Sequence, residues 1–356
     1  MTSPWRDRVV GRSRSLSLLL QDMHKSSAFP IVVNAVTCFL LLSLADVQGN
    51  ERPIVGILSQ PCTGFRGCNE SGSYIASSYV KFVEMAGARV IPIIFNAPHD
   101  EIMFRMRYVH MLLFPGGAVP LQPGTLFFET SKSLFEHVID LNKRGFWFPL
   151  HGTCLGFELL HILVARSGGV LQTFNSTNCR SKLNFTESAR HSRLFQNFSN
   201  DLFEAARKKK IAVEHHMYGV SPEAYKNFPS LQSFFRILST SADLQGKIYV
   251  SSMEAIDFPI SGTQFHPEKP VFEWKTGQEI SHDPQAILMA QMLSNALITE
   301  AKKNSRPPLS KGPQLNSLLI YNYSPIYISD DSIPFEQVYV FHTSSTPHPR
   351  SLERIN

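Results

Sequence analysis

FWFPLHGTCLGFELLHILVA, residues 146–165, passes from an apolar strand, Phe146 to Leu150, through the turn Gly152-Thr153-Cys154-Leu155-Gly156 into a helix over Leu155 to Ala165 that Ser167-Gly168-Gly169 stops. Glycines two residues to each side of a cysteine let chain segments pass closely. A residue held on so sharp a strand-to-helix turn projects from the sheet as a nucleophile. The helix N-terminus favours a thiolate over a thiol. The alternative for Cys154 is a small buried apolar residue, the commoner fate of cysteine.

The same alternation recurs on either side of this stretch. Pro53 to Leu58 reads as a buried strand, Tyr74 to Met85 as a helix with Ile75, Tyr79, Phe82 and Val83 on one face, and Arg89 to Phe95 as a strand. Met111 to Phe114 is a strand running into Pro115-Gly116-Gly117, and Thr130 to Arg144 is a helix. This order predicts an α/β fold: a doubly wound, flavodoxin-like, mostly parallel sheet with helices on both faces. Ligands of such sheets sit outside the carboxyl ends of the strands, where these glycine turns fall. Val170 to about Ser230 reads as strands and loops capping the sheet. Short strands over Ile248 to Met253 and from Ile260 lead to His266, Pro284 to Lys302 is an amphipathic helix, Lys303 to Gln314 is a polar linker, and Leu318 to Tyr327 is strand-like.

A thiol nucleophile needs a base, and the base needs an acceptor to orient it. His266-Pro267-Glu268 offers both, with the i and i+2 side chains of an extended chain on one side. The oxyanion needs donors. The N–H of Leu155 is one, and Pro115-Gly116-Gly117 presents another at Gly117, unless it is an ordinary turn. No step in this chemistry calls for a metal or a cofactor.

The first fifty residues carry a different message. Ile31 to Ala45 is an apolar run after Lys25, ending in Ser43 and Ala45 at the spacing of a signal-peptidase site, so residues 1–50 read as a signal peptide with a long n-region, translation starting at Met1 or at Met23. Fifteen residues are short for a membrane span, and no stable anchor is expected. Asn69, Asn175, Asn184, Asn197 and Asn322 each begin an N-x-Ser/Thr sequon, which fits the secretory route and a lysosomal or extracellular destination. Cys62 and Cys68 are close enough to pair, whereas Cys154 is wanted free. A net charge of +5 without a basic aromatic face argues against a nucleic-acid partner. Lys208-Lys209-Lys210 reads as a solvated face. Residues 51–341 form the expected domain, and 342–356 a disordered tail.

The motifs resemble one family: the class I glutamine amidotransferase-like hydrolases, and within them the γ-glutamyl hydrolases. The stretches that carry it are Leu112-Leu113-Phe114-Pro115-Gly116-Gly117, Gly152-Thr153-Cys154-Leu155-Gly156-Phe157-Glu158, Tyr79-Val80-Lys81, Leu183-Asn184-Phe185-Thr186, Arg193 to Phe198, and Gln264 to Lys269 through Glu273-Trp274-Lys275, in order from about Arg52 to Phe341. The resemblance implies Cys154 as nucleophile, His266 as general base and then acid, and Glu268 as its orienter. Gly116, Glu158 and His216 are implied as substrate-binding residues. It also implies folylpoly-γ-glutamate substrates, cationic groups near the cleft for their free α-carboxylates, and a homodimer. Glu214-His215-His216-Met217-Tyr218 departs from the family pattern, and a plain hydrogen-bonded histidine is the alternative for His216. His151 stands where the family often has an aromatic residue, as a lining candidate, and Val338 where it has a cysteine. Two other functions are open at this point: a free glutaminase, and an inactive homologue kept as a binding protein.

Overall fold

The computed structural model describes residues 50–342 except 63–66, 70, 307–312 and 331, and all of these fall in one compact unit. The expected signal peptide, apart from Asn50, and the tail after His342 lie outside the described residues. In chain order the strands are β1 (Ile54–Leu58), β2 (Gln60–Pro61), β3 (Ser73–Ala76), β4 (Arg89–Ile93), β5 (Met111–Phe114), β6 (Leu150–Thr153), β7 (Gln172–Ser181), β8 (Asn184–Phe185), β9 (Ala212–Gly219), β10 (Phe235–Ala242), β11 (Ile248–Ala255), β12 (Ile260–Thr263), β13 (Ile326–Tyr327) and β14 (Gln337–Phe341).

The main sheet has eight strands in the order β4-β1-β5-β6-β12-β11-β10-β8. From β4 to β12 every pair is parallel, and β11, β10 and β8 extend it antiparallel. Side chains alternate strictly along β1. Val55 and Ile57 join the core made with Tyr79 and Val83 from helix Ser77–Glu84 and Leu293 and Leu297 from helix Pro284–Lys302. Ile54 and Leu58 join the opposite core, with Phe127 and Leu134 from helix Leu126–Lys143 and Leu160 from helix Leu155–Ala165. A strand buried on both faces reads as a continuous apolar run because each face has its own helical layer. The expected doubly wound, mostly parallel sheet is therefore present. Among the described residues no helix is long and apolar enough to cross a membrane.

Several local expectations are corrected. Ser73–Ala76 is a strand instead of the first turn of a helix, because it pairs with β14 on one side and β2 on the other in a separate four-stranded sheet. The strand before the cysteine starts only at Leu150, where pairing with β5 and β12 begins. Helix Leu126–Lys143 begins four residues before the expected Thr130, capped by Thr125, whose side chain accepts from the Phe128 N–H. The middle segment holds helices Asn200–Lys208 and Pro222–Asn227, capped by Ser199 and Ser221, besides strands and loops. Most of Leu318 to Tyr327 is not a strand. Leu318 ends a short helix, Ile320–Asn322 is a 3-10 turn, and only Ile326–Tyr327 pairs, with β14.

Candidate active site at the carboxyl ends of the strands

Cys154 leaves β6 with φ 51° and ψ −107°. A non-glycine residue in that region is strained and must be held there. The surrounding glycines show what holds it. A Cβ on Gly156 would lie 2.1 Å from the Phe114 carbonyl oxygen, and one on Gly152 would lie 2.5 Å from the Gly156 oxygen. Strand β5, the turn and the first helical turn are thus packed backbone against backbone. The Cys154 N–H donates to the Thr263 carbonyl at 2.8 Å, which ties the turn to the end of β12.

That end of β12 delivers His266, whose N–H donates to the Val213 carbonyl at 2.9 Å. His266 Nδ1 lies 2.7 Å from Glu268 Oε1. The pair meets across a turn, with Glu268 helical at φ −75° and ψ −24°, and not along extended chain as its spacing suggested. Glu268 is fully buried. Burial alone would raise its pKa, but the charge and hydrogen bond of His266, with Lys269, bring it below the usual carboxylate range. An ionised Glu268 accepts from Nδ1–H and leaves Nε2 as the basic nitrogen. His266 Nε2 is buried and has no partner among the described residues. Gly116 separates the imidazole from the cysteine: a Cβ there would lie 2.8 Å from His266 Cε1 and 3.2 Å from Cys154 Cβ.

The electrostatics correct the expectation that the elbow alone gives a thiolate. Burial pushes the Cys154 thiol well up, the carboxylates of Glu158, Glu268 and Glu214 push it further, and the Leu155 N–H opposes them. The helix N-terminus is outweighed, so proton transfer to an adjacent base has to create the nucleophile. Leu155 is the first helical residue, where N–H groups lack intrahelical acceptors. The Gly116 N–H donates to the Tyr79 hydroxyl at 2.8 Å, whereas the Gly117 N–H has no acceptor among the described residues.

These groups open on a cavity of ≈ 750 Å³. Of the expected site residues, Gly117, Cys154, Leu155, Glu158, His216 and His266 line it. Gly116 and Glu268 stand behind them. Glu158, one turn into the helix, accepts from Gln264 Nε2 at 3.0 Å, and burial raises its carboxyl to about 7 against the lowering effects of His216 and Gln264. His216 is both hydrogen-bonded and at the cavity. Its Nδ1 donates to the Tyr218 carbonyl at 2.7 Å and its Nε2 lies 3.2 Å from Glu214 Oε2. Burial works to lower its pKa, and Glu214, with Glu158, reverses this to a net rise. His151 does not line the cavity. It is buried against Ser261 Oγ at 2.9 Å, and burial pushes it down to about 3.

The expected cationic groups reduce to Lys269 among the lysines and arginines lining the cavity. Lys208 and Lys209 lie away from it, exposed and paired with Glu204 and Asp283. The sequence reading missed His215 as a lining residue and the Tyr79 hydroxyl, since both depend on which elements fold against the cavity. Cys62 and Cys68 form a disulfide, Cys154 and Cys179 are free, and all five sequon asparagines are exposed.

The family model of peptidase C26 matches residues 53–268, the span from β1 to the Glu268 carboxylate. The chain belongs to the peptidase C26 family. Among curated relatives, γ-glutamyl hydrolase 2 of Arabidopsis thaliana is 35% identical over 336 residues, covering 92% of this chain and 95% of that protein. γ-Glutamyl hydrolase 1 of the same plant is 37% identical, covering 84% and 85%, and the γ-glutamyl hydrolase of Homo sapiens is 37% identical, covering 84% and 93%. The expected kinship with γ-glutamyl hydrolases is borne out over most of this peptidase C26 chain.

Proposed function

We propose that the chain hydrolyses γ-glutamyl amide bonds of folylpoly-γ-glutamates and related poly-γ-glutamates. The observation that carries this is a strained, glycine-packed Cys154 beside a His266 oriented by a buried Glu268, in a chain whose relatives are γ-glutamyl hydrolases. In the proposed cycle His266 Nε2 takes the Cys154 proton as sulfur attacks the γ-carbonyl carbon. The oxyanion is received by the N–H groups of Leu155 and Gly117. As the C–N bond breaks, the imidazolium gives its proton to the leaving amine, and an S-γ-glutamyl thioester remains. Water, deprotonated by His266, then attacks the thioester carbon, and the thiolate leaves and regains the proton. Glu268 stays ionised throughout and holds the imidazole.

Glu158 and His216 are the proposed substrate-binding residues at the cavity wall, with Gly116 backing them, and Lys269, whose Nζ donates to the Pro334 carbonyl at 2.8 Å, is the lysine that lines the cavity. The experiment compares a γ-linked triglutamate with free glutamine, for the wild type and Cys154→Ala. Release of glutamate or short γ-glutamyl peptides from the triglutamate alone, abolished in the variant, supports the proposal. Turnover of glutamine alone makes the chain a glutaminase, and no turnover makes it a binding protein.

Passage through the secretory pathway to the lysosome or the outside of the cell, with glycans on the exposed Asn69, Asn175, Asn184, Asn197 and Asn322, is proposed from the N-terminal apolar run and the sequons. Glycosidase-sensitive mobility of the secreted chain tests it. A homodimer is proposed from family resemblance and is read by light scattering.

A further inference from the structure

Tyr79 is 1% exposed, on helix Ser77–Glu84, where apolar periodicity alone would make it a core residue. Its hydroxyl nevertheless sits within the site. It accepts the Gly116 N–H at 2.8 Å and lies 3.3 Å from His266 Nδ1. Nδ1 is already committed to Glu268 at 2.7 Å, and a protonated Nδ1 offers no lone pair. With the amide's proton taken up, the hydroxyl stands against the Nδ1 edge of the imidazole and feels the Glu268 charge that this edge faces. The hydroxyl thus stands between the Gly116 N–H on one side and His266 Nδ1 on the other. Gly116 precedes Gly117 in the loop after β5, and His266 carries the base.

We propose that Tyr79 is a positioning residue that fastens the β5 loop to the Glu268–His266 pair. It takes up the Gly116 amide so that the Gly117 amide is the one presented to the oxyanion, and its hydroxyl backs the Nδ1 edge of the imidazole where that edge meets Glu268. This rests on the proposed function for the roles of Gly117 and His266. The arrangement explains why residue 116 must lack a side chain, since a Cβ there would lie 2.7 Å from the hydroxyl. It also explains a buried tyrosine hydroxyl whose ionisation burial and the Glu268 charge suppress. Such a hydroxyl serves only as a fixed donor and acceptor.

Tyr79→Phe removes the hydroxyl and keeps the ring. The other ionisable groups about the thiol are untouched: Glu158 on its own helix, Glu214, His215 and His216 on β9, and His266, Glu268 and Lys269 after β12. The test is the rate of iodoacetamide alkylation of Cys154 against pH, read on the peptide that carries it because Cys179 is also free, together with kcat and KM on a γ-linked triglutamate and the melting temperature. Without the hydroxyl at its Nδ1 edge, the imidazole is held less firmly against Glu268, and the imidazolium is supported less. The alkylation midpoint should move up by about half a unit or more. kcat should fall about 10- to 100-fold with KM within about threefold, and Tm should hold within ~2 °C.

An unchanged midpoint with unchanged kcat overturns the proposal. A fall in Tm of more than roughly 5 °C makes Tyr79 a structural residue and overturns it as well. A wild type that alkylates but cleaves no γ-linked substrate defeats the proposed function, and the alkylation midpoint then decides the role of Tyr79 by itself.

Discussion

Alanine at Gly156 puts a methyl group where the turn has no room. Its Cβ would stand 2.1 Å from the Phe114 carbonyl oxygen, 2.7 Å from the carbonyl carbon and 2.8 Å from Phe114 Cβ. Ordinary contact begins at 3.4 Å, so the first turn of helix Leu155–Ala165 and the end of β5 must separate by about 1.3 Å. Two of the three atoms struck are backbone, which no rotamer change relieves. Overpacking of this kind costs about 3 kcal/mol, and a domain of this size then melts roughly 5 °C lower. The separation also moves the Cys154 sulfur and the Gly117 amide, because each adjoins one of the displaced segments. A misplacement of about 1 Å lowers kcat about 100-fold. Thermal unfolding with initial rates on a γ-linked triglutamate measures both. A variant that melts within ~1 °C of the wild type and keeps kcat within about twofold would show that the elbow is not packed as described.

Further outcomes follow from the same geometry. Glu268→Gln keeps the shape but loses the charge that fixes the His266 tautomer, and kcat should fall about 10³- to 10⁴-fold, whereas a loss under about tenfold would remove Glu268 from the proposed machinery. Glu158 has a folded pKa raised by burial from 4.5 to about 7, so the folded state binds its proton more tightly than the unfolded chain does. Its contribution to stability is full below 4.5 and is lost as pH climbs to about 7, a swing of up to about 3 kcal/mol. Urea unfolding below and above this window should show that loss in the wild type and not in Glu158→Gln, and parallel curves for the two chains would contradict the burial argument. Replacing Cys62 and Cys68 by serine opens a loop closed over a separation of 6 residues and should lower stability by about 2 kcal/mol without removing activity. A variant of that pair that is stable but inactive would make the disulfide part of the site.

The fold and the reacting groups were legible where local chemistry and tertiary role coincide. Met111–Phe114, Leu155–Ala165 and Pro284–Lys302 have the bounds their patterns predicted, since the strand is buried throughout and each helix buries its apolar face. Cys154, His266 and Glu268 were legible because glycine spacing and a two-residue separation restrict what those side chains reach. Ser73–Ala76 was not. Its partner strand β14 lies over 250 residues away, and no local pattern encodes that pairing. The apolar Leu318-Leu319-Ile320 reads equally as strand or helix, and packing chose helix and turn. The Tyr79 hydroxyl looked like core because its ring is core, and only the approach of Gly116 gives it a second task. The thiol's raised pKa was likewise hidden, for it depends first on burial and then on Glu158, Glu268 and Glu214 converging from three elements.

The central claim is that Cys154 carries the γ-glutamyl group during turnover. Wild-type protein mixed with a γ-linked triglutamate, quenched in acid and digested, gives a direct reading by mass spectrometry of the peptide that contains Cys154. A γ-glutamyl adduct on that peptide, absent from Cys154→Ala and lost on neutralisation as the thioester hydrolyses, is the predicted result. Undiminished cleavage by Cys154→Ala, or turnover by the wild type with the adduct on another residue, would contradict it.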